Sequence, residues 1–155
     1  MMKLYLVQHG IPKPESEDPQ KPLSDVGKNE VEKVAQALKK SGIKVSKIFH
    51  SGKLRAKQTA EIIGNYLNPS EGIVEAEGLK PLDSPDIWAN QLNNLSDSIM
   101  LVGHLPHLQK LCSLLVIQNA EKPIIRFRQG GVVALERDEK GIWIISWVLY
   151  PDFFL

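Results

Sequence analysis

Three short polar segments of the chain each place a histidine directly after an apolar run of strand length. The triplet QHG at 8–10 follows KLYLV, HSG at 50–52 follows VSKIF, and GH at 103–104 follows SIMLV. In an open α/β sheet, ligands bind just beyond the carboxyl ends of parallel strands, because the connections diverge there. We therefore expect the three segments to meet in one crevice.

The histidines and an arginine in such a crevice suit the transfer of a phosphoryl group. A neutral imidazole such as that of His9 is a competent nucleophile toward phosphorus near pH 7, because its ordinary pKa is about 6.5. Arg55 would hold phosphate oxygens and disfavour protonation of a neighbouring histidine. His104, once protonated, would stabilise charge on the transferring group. The residues indicate phosphoryl transfer to His9, followed by attack of water on the phosphohistidine.

The elements that must position these segments alternate between strand and helix along most of the chain. Apolar runs predict strands, and apolar residues at helical spacing behind capping residues such as Ser24 and Ser84 predict helices. The predicted strands are 3–7, 45–49, 72–75, 98–102, 132–135 and 142–147, with helices starting near 24, 54, 84 and 106. This order predicts an α/β fold, a three-layer α/β/α sandwich whose mainly parallel central sheet ends in an antiparallel edge hairpin.

The length and composition predict one globular domain covering residues 1–155. A formal net charge of +1 excludes proteins that rely on overall charge to bind nucleic acid or an anionic membrane, so any anion site is local. The single cysteine, Cys112, excludes an intrachain disulfide. No run approaches the roughly 18 apolar residues of a membrane span, and the N-terminus is interpreted as the first strand rather than a signal peptide. We expect a cytoplasmic protein.

Four segments, in this order, resemble the motifs of the histidine phosphatase superfamily, also called the phosphoglycerate mutase-like proteins. LVQHG at 6–10 resembles a strand ending in Arg-His-Gly, and PLSDVG at 22–27 resembles a Pro-Leu-Ser/Thr helix start. SGKLRAKQTAE at 51–61 resembles the Arg-Ala-x-Gln-Thr segment, and VGHLP at 102–106 resembles the second-histidine segment. In its length and its GHLP sequence, the chain is most similar to the SixA-type phosphohistidine phosphatases.

The resemblance implies a role for each motif residue. His9 would accept the phosphoryl group, while Arg55 and His104 would complete the phosphate pocket, with no cofactor. Only 49 residues separate Arg55 from His104, which leaves no room for the cap domain of larger relatives. An open site favours a phosphorylated protein, such as a histidine-containing phosphotransfer domain, as substrate and inorganic phosphate as product. Neither nucleic acid nor a membrane is expected as a partner.

Gln8 departs from the motif, because the family has arginine at this position. Glutamine still donates a hydrogen bond to phosphate but carries no charge, which would cost roughly tenfold in transition-state binding. Two alternatives to a phosphohistidine phosphatase therefore stay open. One is a catalytically weakened module that binds phosphate, and the other is a small-molecule phosphomonoesterase.

Further residues are candidates for supporting roles. Glu77 or Asp83, which follow the third predicted strand, could act as the general acid, and Lys21 could reach the phosphate from the first loop. His107 lies three residues after His104, but without a carboxylate or cysteine partner the pair does not indicate a metal site. His50 is interpreted as structural.

Overall fold

The computed structural model describes residues 1–154, and it confirms the predicted order of elements. A short 3₁₀ turn, Pro151–Phe154, follows the last strand. The strands are β1 (Met2–Gln8), β2 (Lys47–His50), β3 (Ile73–Glu75), β4 (Ile99–Gly103), β5 (Val132–Arg137) and β6 (Trp143–Leu149), and the helices are α1 (Asp25–Lys40), α2 (Leu54–Leu67), α3 (Pro85–Leu92) and α4 (His107–Ile117).

The strands form one six-stranded sheet in the order β3-β2-β4-β1-β5-β6. The first four strands of the chain are parallel to one another, whereas β5 pairs antiparallel with β1 and β6 pairs antiparallel with β5. The predicted sheet, mainly parallel with an antiparallel hairpin at one edge, is confirmed. Between α2 and β4 the chain forms only β3 and α3, so there is no cap domain.

Helices cover both faces of the sheet, because alternate side chains of the central strands point to opposite sides. Leu4 and Leu6 of β1 belong to one buried cluster, together with Trp88 of α3 and residues of α4. Tyr5 and Val7, the alternate residues, belong to a second cluster with residues of α1 and α2. The three-layer α/β/α sandwich is therefore confirmed.

Local sequence signals account for the helix starts. The Ser24 hydroxyl accepts a hydrogen bond from the Gly27 N–H at 3.0 Å, and that of Ser84 accepts one from the Asp86 N–H at 3.2 Å. Both predicted caps are confirmed. Helix α4 begins one residue later than predicted, at His107, with Pro106 in the capping position.

Three strands extend one residue further toward the crevice than the sequence predicts, because pairing in the sheet continues to their ends. Gln8 pairs with Gly103 across β1 and β4, and His50 pairs with both Val102 and Glu75. Since β2, β4 and β1 are neighbours and parallel, their carboxyl ends lie side by side. The sheet thus brings the three polar segments together.

Candidate active site

His9 is the first residue after β1, and hydrogen bonds hold its backbone on both sides. Its N–H donates to the Gly103 carbonyl at 3.0 Å, and its own carbonyl accepts from the Gly130 N–H at 3.1 Å. In the side chain, Nδ1 lies 2.7 Å from the Gly10 carbonyl oxygen. A carbonyl oxygen only accepts, so Nδ1 carries the proton and Nε2 keeps its lone pair.

The surroundings of His9 also keep its ring neutral. Burial, together with the positive charges of Arg55 and Lys21, outweighs the Gly10 hydrogen bond and lowers the pKa of His9 to about 4. Near pH 7 the side chain is therefore an uncharged imidazole with a free Nε2, which is the form a nucleophile needs.

The motif residues after Arg55 fasten α2 to the His9 segment. The Gly10 N–H donates to the Thr59 hydroxyl at 3.0 Å, and that hydroxyl donates to the Arg55 carbonyl at 2.8 Å. A Cβ at Gly10 would lie 2.8 Å from a methyl group of Val31, so only glycine fits at this position. The hydroxyl of Thr59 thus links the backbone that orients His9 to the helix that carries Arg55.

The first loop is held against α1 and α2 by other motif residues. The Leu23 N–H donates to Gln58 Oε1 at 2.7 Å, and the Ser24 hydroxyl donates to the Ile11 carbonyl at 2.8 Å. A Cβ at Gly27 would lie 2.2 Å from that same Ile11 oxygen, so glycine is required where α1 meets the loop. The motif PLSDVG therefore serves to position the loop that begins after His9.

His104 lies against His9, with 5.0 Å between the two ring centroids. It is 2% exposed, and its Nε2 lies 2.6 Å from the Ser51 hydroxyl oxygen. Burial lowers the pKa of His104 to about 3, with further contributions from the charges of His9, Arg55 and Lys53. The ring is neutral until an anion enters, and a bound phosphoryl group would favour its protonated form.

Arg55 and Lys21 supply positive charge beside the two histidines. Arg55, in the first turn of α2, acts electrostatically on both rings, and Lys21 acts on His9. Burial lowers the pKa of Arg55, but a guanidinium stays charged at any working pH. Lys21 adopts a left-handed backbone conformation with φ of 50° in the first loop. Two of the four residues predicted to bind phosphate, Arg55 and Lys21, thus place positive charge within electrostatic reach of His9.

Gln8 is buried where β1 ends, and it brings no charge to the site. Its carbonyl accepts a hydrogen bond from the Gly130 N–H at 2.9 Å. Within residues 1–154 its side-chain Oε1 is buried without a hydrogen-bond partner. The amide group therefore offers phosphate only the N–H donors of its Nε2.

Within residues 1–154, neither of the two predicted general acids forms a hydrogen bond or an ion pair with His9 or His104. The side chain of Glu77 is exposed, and its carbonyl accepts from the Trp88 indole N–H at 2.9 Å. Asp83 accepts from the Lys80 N–H at 3.0 Å, and its charge acts on His107. Neither carboxylate is among the groups that shift the pKa of the paired histidines.

Sequence reasoning missed two residues that lie at the site. One is Ser51, which contacts His104. Its place directly after β2, within the motif, is a sequence signal that could have identified it. The other is Glu75, the last residue of β3, whose carboxylate packs over Gly52: a Cβ there would lie 2.6 Å from the carboxyl carbon. His50, interpreted as structural, accepts a hydrogen bond from the Gly52 N–H at 3.0 Å.

A groove of about 600 Å³ opens beside the histidine pair. It is lined by side chains of the first loop and of the first turns of α2, among them Lys21, Lys53, Arg55 and Lys57. Within residues 1–154, no group of three or more His, Cys, Asp or Glu side chains is placed to hold a metal ion. No helix in this range is long and apolar enough to cross a membrane.

Comparison with known proteins decides the family. A family model described as the histidine phosphatase superfamily (branch 1) matches residues 4–87, more than half of the chain. The chain belongs to the histidine phosphatase superfamily. This confirms the resemblance to the family, with three of the four motifs inside the matched residues, and supports a phosphatase, a hydrolase of phosphoryl groups.

Individual relatives within the superfamily agree with this assignment. An uncharacterized protein of Picosynechococcus sp. (strain PCC 7002) is 35% identical over 142 residues, which cover 86% of this chain and 84% of that protein. The phosphohistidine phosphatase SixA of Escherichia coli K12 is 28% identical over 156 residues, 97% of this chain and 94% of that one. The structure of the protein histidine phosphatase SixA complexed with tungstate superposes with a TM-score of 0.85 at 24% identity, covering 99% of this chain and 100% of that one. The phosphoglycerate mutase-like fold is confirmed.

Proposed function

We propose that the protein is a metal-independent phosphohistidine phosphatase that removes phosphate from histidine-phosphorylated proteins through a phosphohistidine intermediate on His9. The observation that carries this proposal is the state of His9 itself. Its Nδ1–H is held by the Gly10 carbonyl and its pKa is about 4, so a neutral Nε2 stands free beside Arg55 and His104.

The reaction would proceed in two displacements at phosphorus. In the first, the His9 Nε2 lone pair forms a bond to phosphorus while the bond to the substrate's imidazole nitrogen breaks, and the released imidazole takes up a proton. In the second, water attacks the phosphohistidine, inorganic phosphate leaves, and His9 returns to its neutral form. Arg55, Lys21 and the amide of Gln8 would hold phosphoryl oxygens, and His104 would stabilise their developing charge.

The leaving group of the substrate determines how much the reaction needs a general acid. Imidazole is a better leaving group than an alkoxide, so a phosphohistidine substrate needs less protonation help than a phosphate ester. Within residues 1–154 neither Glu77 nor Asp83 forms a hydrogen bond with the histidine pair, which is compatible with such a substrate.

The open site supports a protein as the substrate. Because no cap domain covers the crevice, a phosphohistidine on the surface of another protein can approach His9. A histidine-containing phosphotransfer domain is the proposed partner, in the cytoplasm, without nucleic acid or membrane. The E. coli relative is named a phosphohistidine phosphatase, which agrees with this choice.

The test is phosphate release from a phosphorylated histidine-phosphotransfer domain in the presence of EDTA. We expect turnover by the wild type and none by His9→Ala, with phosphate trapped on His9 after rapid acid-free quenching. Faster hydrolysis of small phosphate monoesters than of the phosphoprotein would instead favour the phosphomonoesterase. Loss of wild-type turnover in EDTA, restored by a divalent cation, would contradict metal independence.

The charge-neutral Gln8 favours one second candidate, a weakened module that binds phosphate without useful turnover. In that case tungstate or inorganic phosphate would bind to the wild type, and binding would fall in Arg55→Gln. Neither protein would release phosphate from the phosphotransfer domain.

A further inference from the structure

The groove beside His9 concentrates positive charge in a protein that is nearly neutral overall. The chain carries 19 basic and 18 acidic residues. Four cations nevertheless line this one groove with one carboxylate, that of Glu15, while the carboxylates of Glu75 and Glu61 act on His50 at its β2 end. We call the four cations, Lys21, Lys53, Arg55 and Lys57, the basic groove.

None of these cations is neutralised within the described part of the chain. The ion pairs of residues 1–154 involve other cations, Lys110 with Glu121 and Arg128 with Glu30 and Asp152. The nearby carboxylate of Glu75 packs over Gly52 and forms no ion pair with the groove within residues 1–154. The basic groove therefore presents charge that an anionic ligand can pair with.

One phosphoryl group cannot use all of this charge. Lys21 and Arg55 act electrostatically on His9, and Lys53 acts on His104. Lys57 acts instead on His50, which ends β2, two strands away from β1. Lys57 therefore extends the basic groove toward the β2–β3 edge.

We propose that the basic groove docks acidic side chains that flank the phosphohistidine on the substrate protein, with Lys57 pairing with one of their carboxylates. This inference rests on the proposed function and adds the class of protein surface that the site selects. Charge pairs across such an interface increase the rate of encounter and reject partners without the matching charge.

The test uses two synthetic phosphohistidine peptides that differ only in glutamate or glutamine at the third and fourth positions on either side of the phosphohistidine. In an extended peptide these positions lie about 10 Å and about 13 Å along the chain from the phosphohistidine, because each residue spans about 3.3 Å. The measured quantity is the ratio of kcat/KM for the acidic peptide to that for the neutral one, at low salt. We expect the wild type to prefer the acidic peptide.

The variants isolate Lys57 from overall charge. Lys57→Gln should lower the ratio about two- to fivefold, as expected for one solvent-exposed ion pair, and Lys57→Arg should restore it. Lys39→Gln removes the same charge from an exposed residue at the far end of α1 and should leave the ratio as in the wild type. Raising the salt to about 1 M should shrink the preference, because the Debye length falls to about 3 Å.

The outcomes separate this inference from the proposed function. Hydrolysis of both peptides with equal ratios in the wild type and Lys57→Gln would overturn the docking role while leaving the phosphatase intact. Weaker binding of a single-stranded RNA oligonucleotide by Lys57→Gln, with an unchanged peptide ratio, would assign the groove to nucleic acid and also overturn it. Failure of the wild type to hydrolyse either peptide would overturn both proposals.

Discussion

The protonation state of His9 provides a direct physical test of the proposed nucleophile. Burial and the charges of Arg55 and Lys21 lower its pKa to about 4, against about 6.5 for an ordinary histidine. At pH 5 about 90% of His9 would be neutral, whereas only about 3% of an ordinary histidine would be. At pH 5 the neutral fraction of the ring therefore differs roughly thirtyfold between the two environments.

The assay is a pH titration of the imidazole nitrogens by long-range ¹H–¹⁵N NMR, with His9→Asn identifying the signals of His9. At pH 7 we expect a protonated Nδ1 and a bare Nε2, because the Gly10 carbonyl accepts from Nδ1. The transition should have its midpoint near pH 4. In Arg55→Gln the midpoint should rise, because one positive charge no longer disfavours the imidazolium.

Two results would refute this reasoning. A midpoint near pH 6.5 in the wild type would mean that neither burial nor the neighbouring cations act on the ring as the geometry requires. A neutral form that carries its proton on Nε2 would mean that the Gly10 contact does not hold Nδ1–H, and Nε2 could not be the attacking atom.

Three other predictions concern stability and turnover. Acid should destabilise the fold as the pH falls from about 6.5 toward 4, because the depressed pKa values of His9 and His104 make the unfolded chain bind more protons than the folded one. His9 alone should lower the free energy of unfolding by about 2 kcal/mol at pH 5, which urea denaturation at pH 7 and 5 would measure. Gln8→Arg should raise kcat/KM for a phosphohistidine substrate roughly tenfold, and an unchanged value would show that the missing charge does not limit the rate. Thr59→Val should lower the free energy of unfolding by about 1–3 kcal/mol and reduce kcat, because the buried Gly10 N–H loses its acceptor. Thr59→Ser keeps that acceptor, so equal losses in the two variants would contradict the role of the hydroxyl.

The chain order of strands and helices could be predicted from the sequence because each signal is local. Apolar runs of strand length, the caps at Ser24 and Ser84, and the turn sequence between β5 and β6 act within a few residues. Strand ends were less certain. Gln8 and His50 are polar, yet both belong to strands, because hydrogen bonding to a neighbouring strand continues to the edge of the crevice.

The supporting contacts of the site could not be predicted in this way. Ser51 and His104 meet although 53 residues separate them, and Gly10 and Thr59 meet across 49 residues. Such contacts depend on which strands are neighbours and on where each helix returns to the sheet. Glu75 was missed for the same reason, since its place over Gly52 follows from the pairing of β3 with β2.

By itself, the sequence determined the α/β order of the elements and that a histidine lies at the carboxyl end of three of the strands, because both follow from residue type and spacing along the chain. Only the tertiary structure decided which imidazole nitrogen of His9 is free and that both site histidines are neutral. It also decided which charges act on these rings, with Arg55 acting on both. These properties depend on burial, on hydrogen-bond partners and on charges contributed by distant parts of the chain, and folding alone brings those groups within reach of each other.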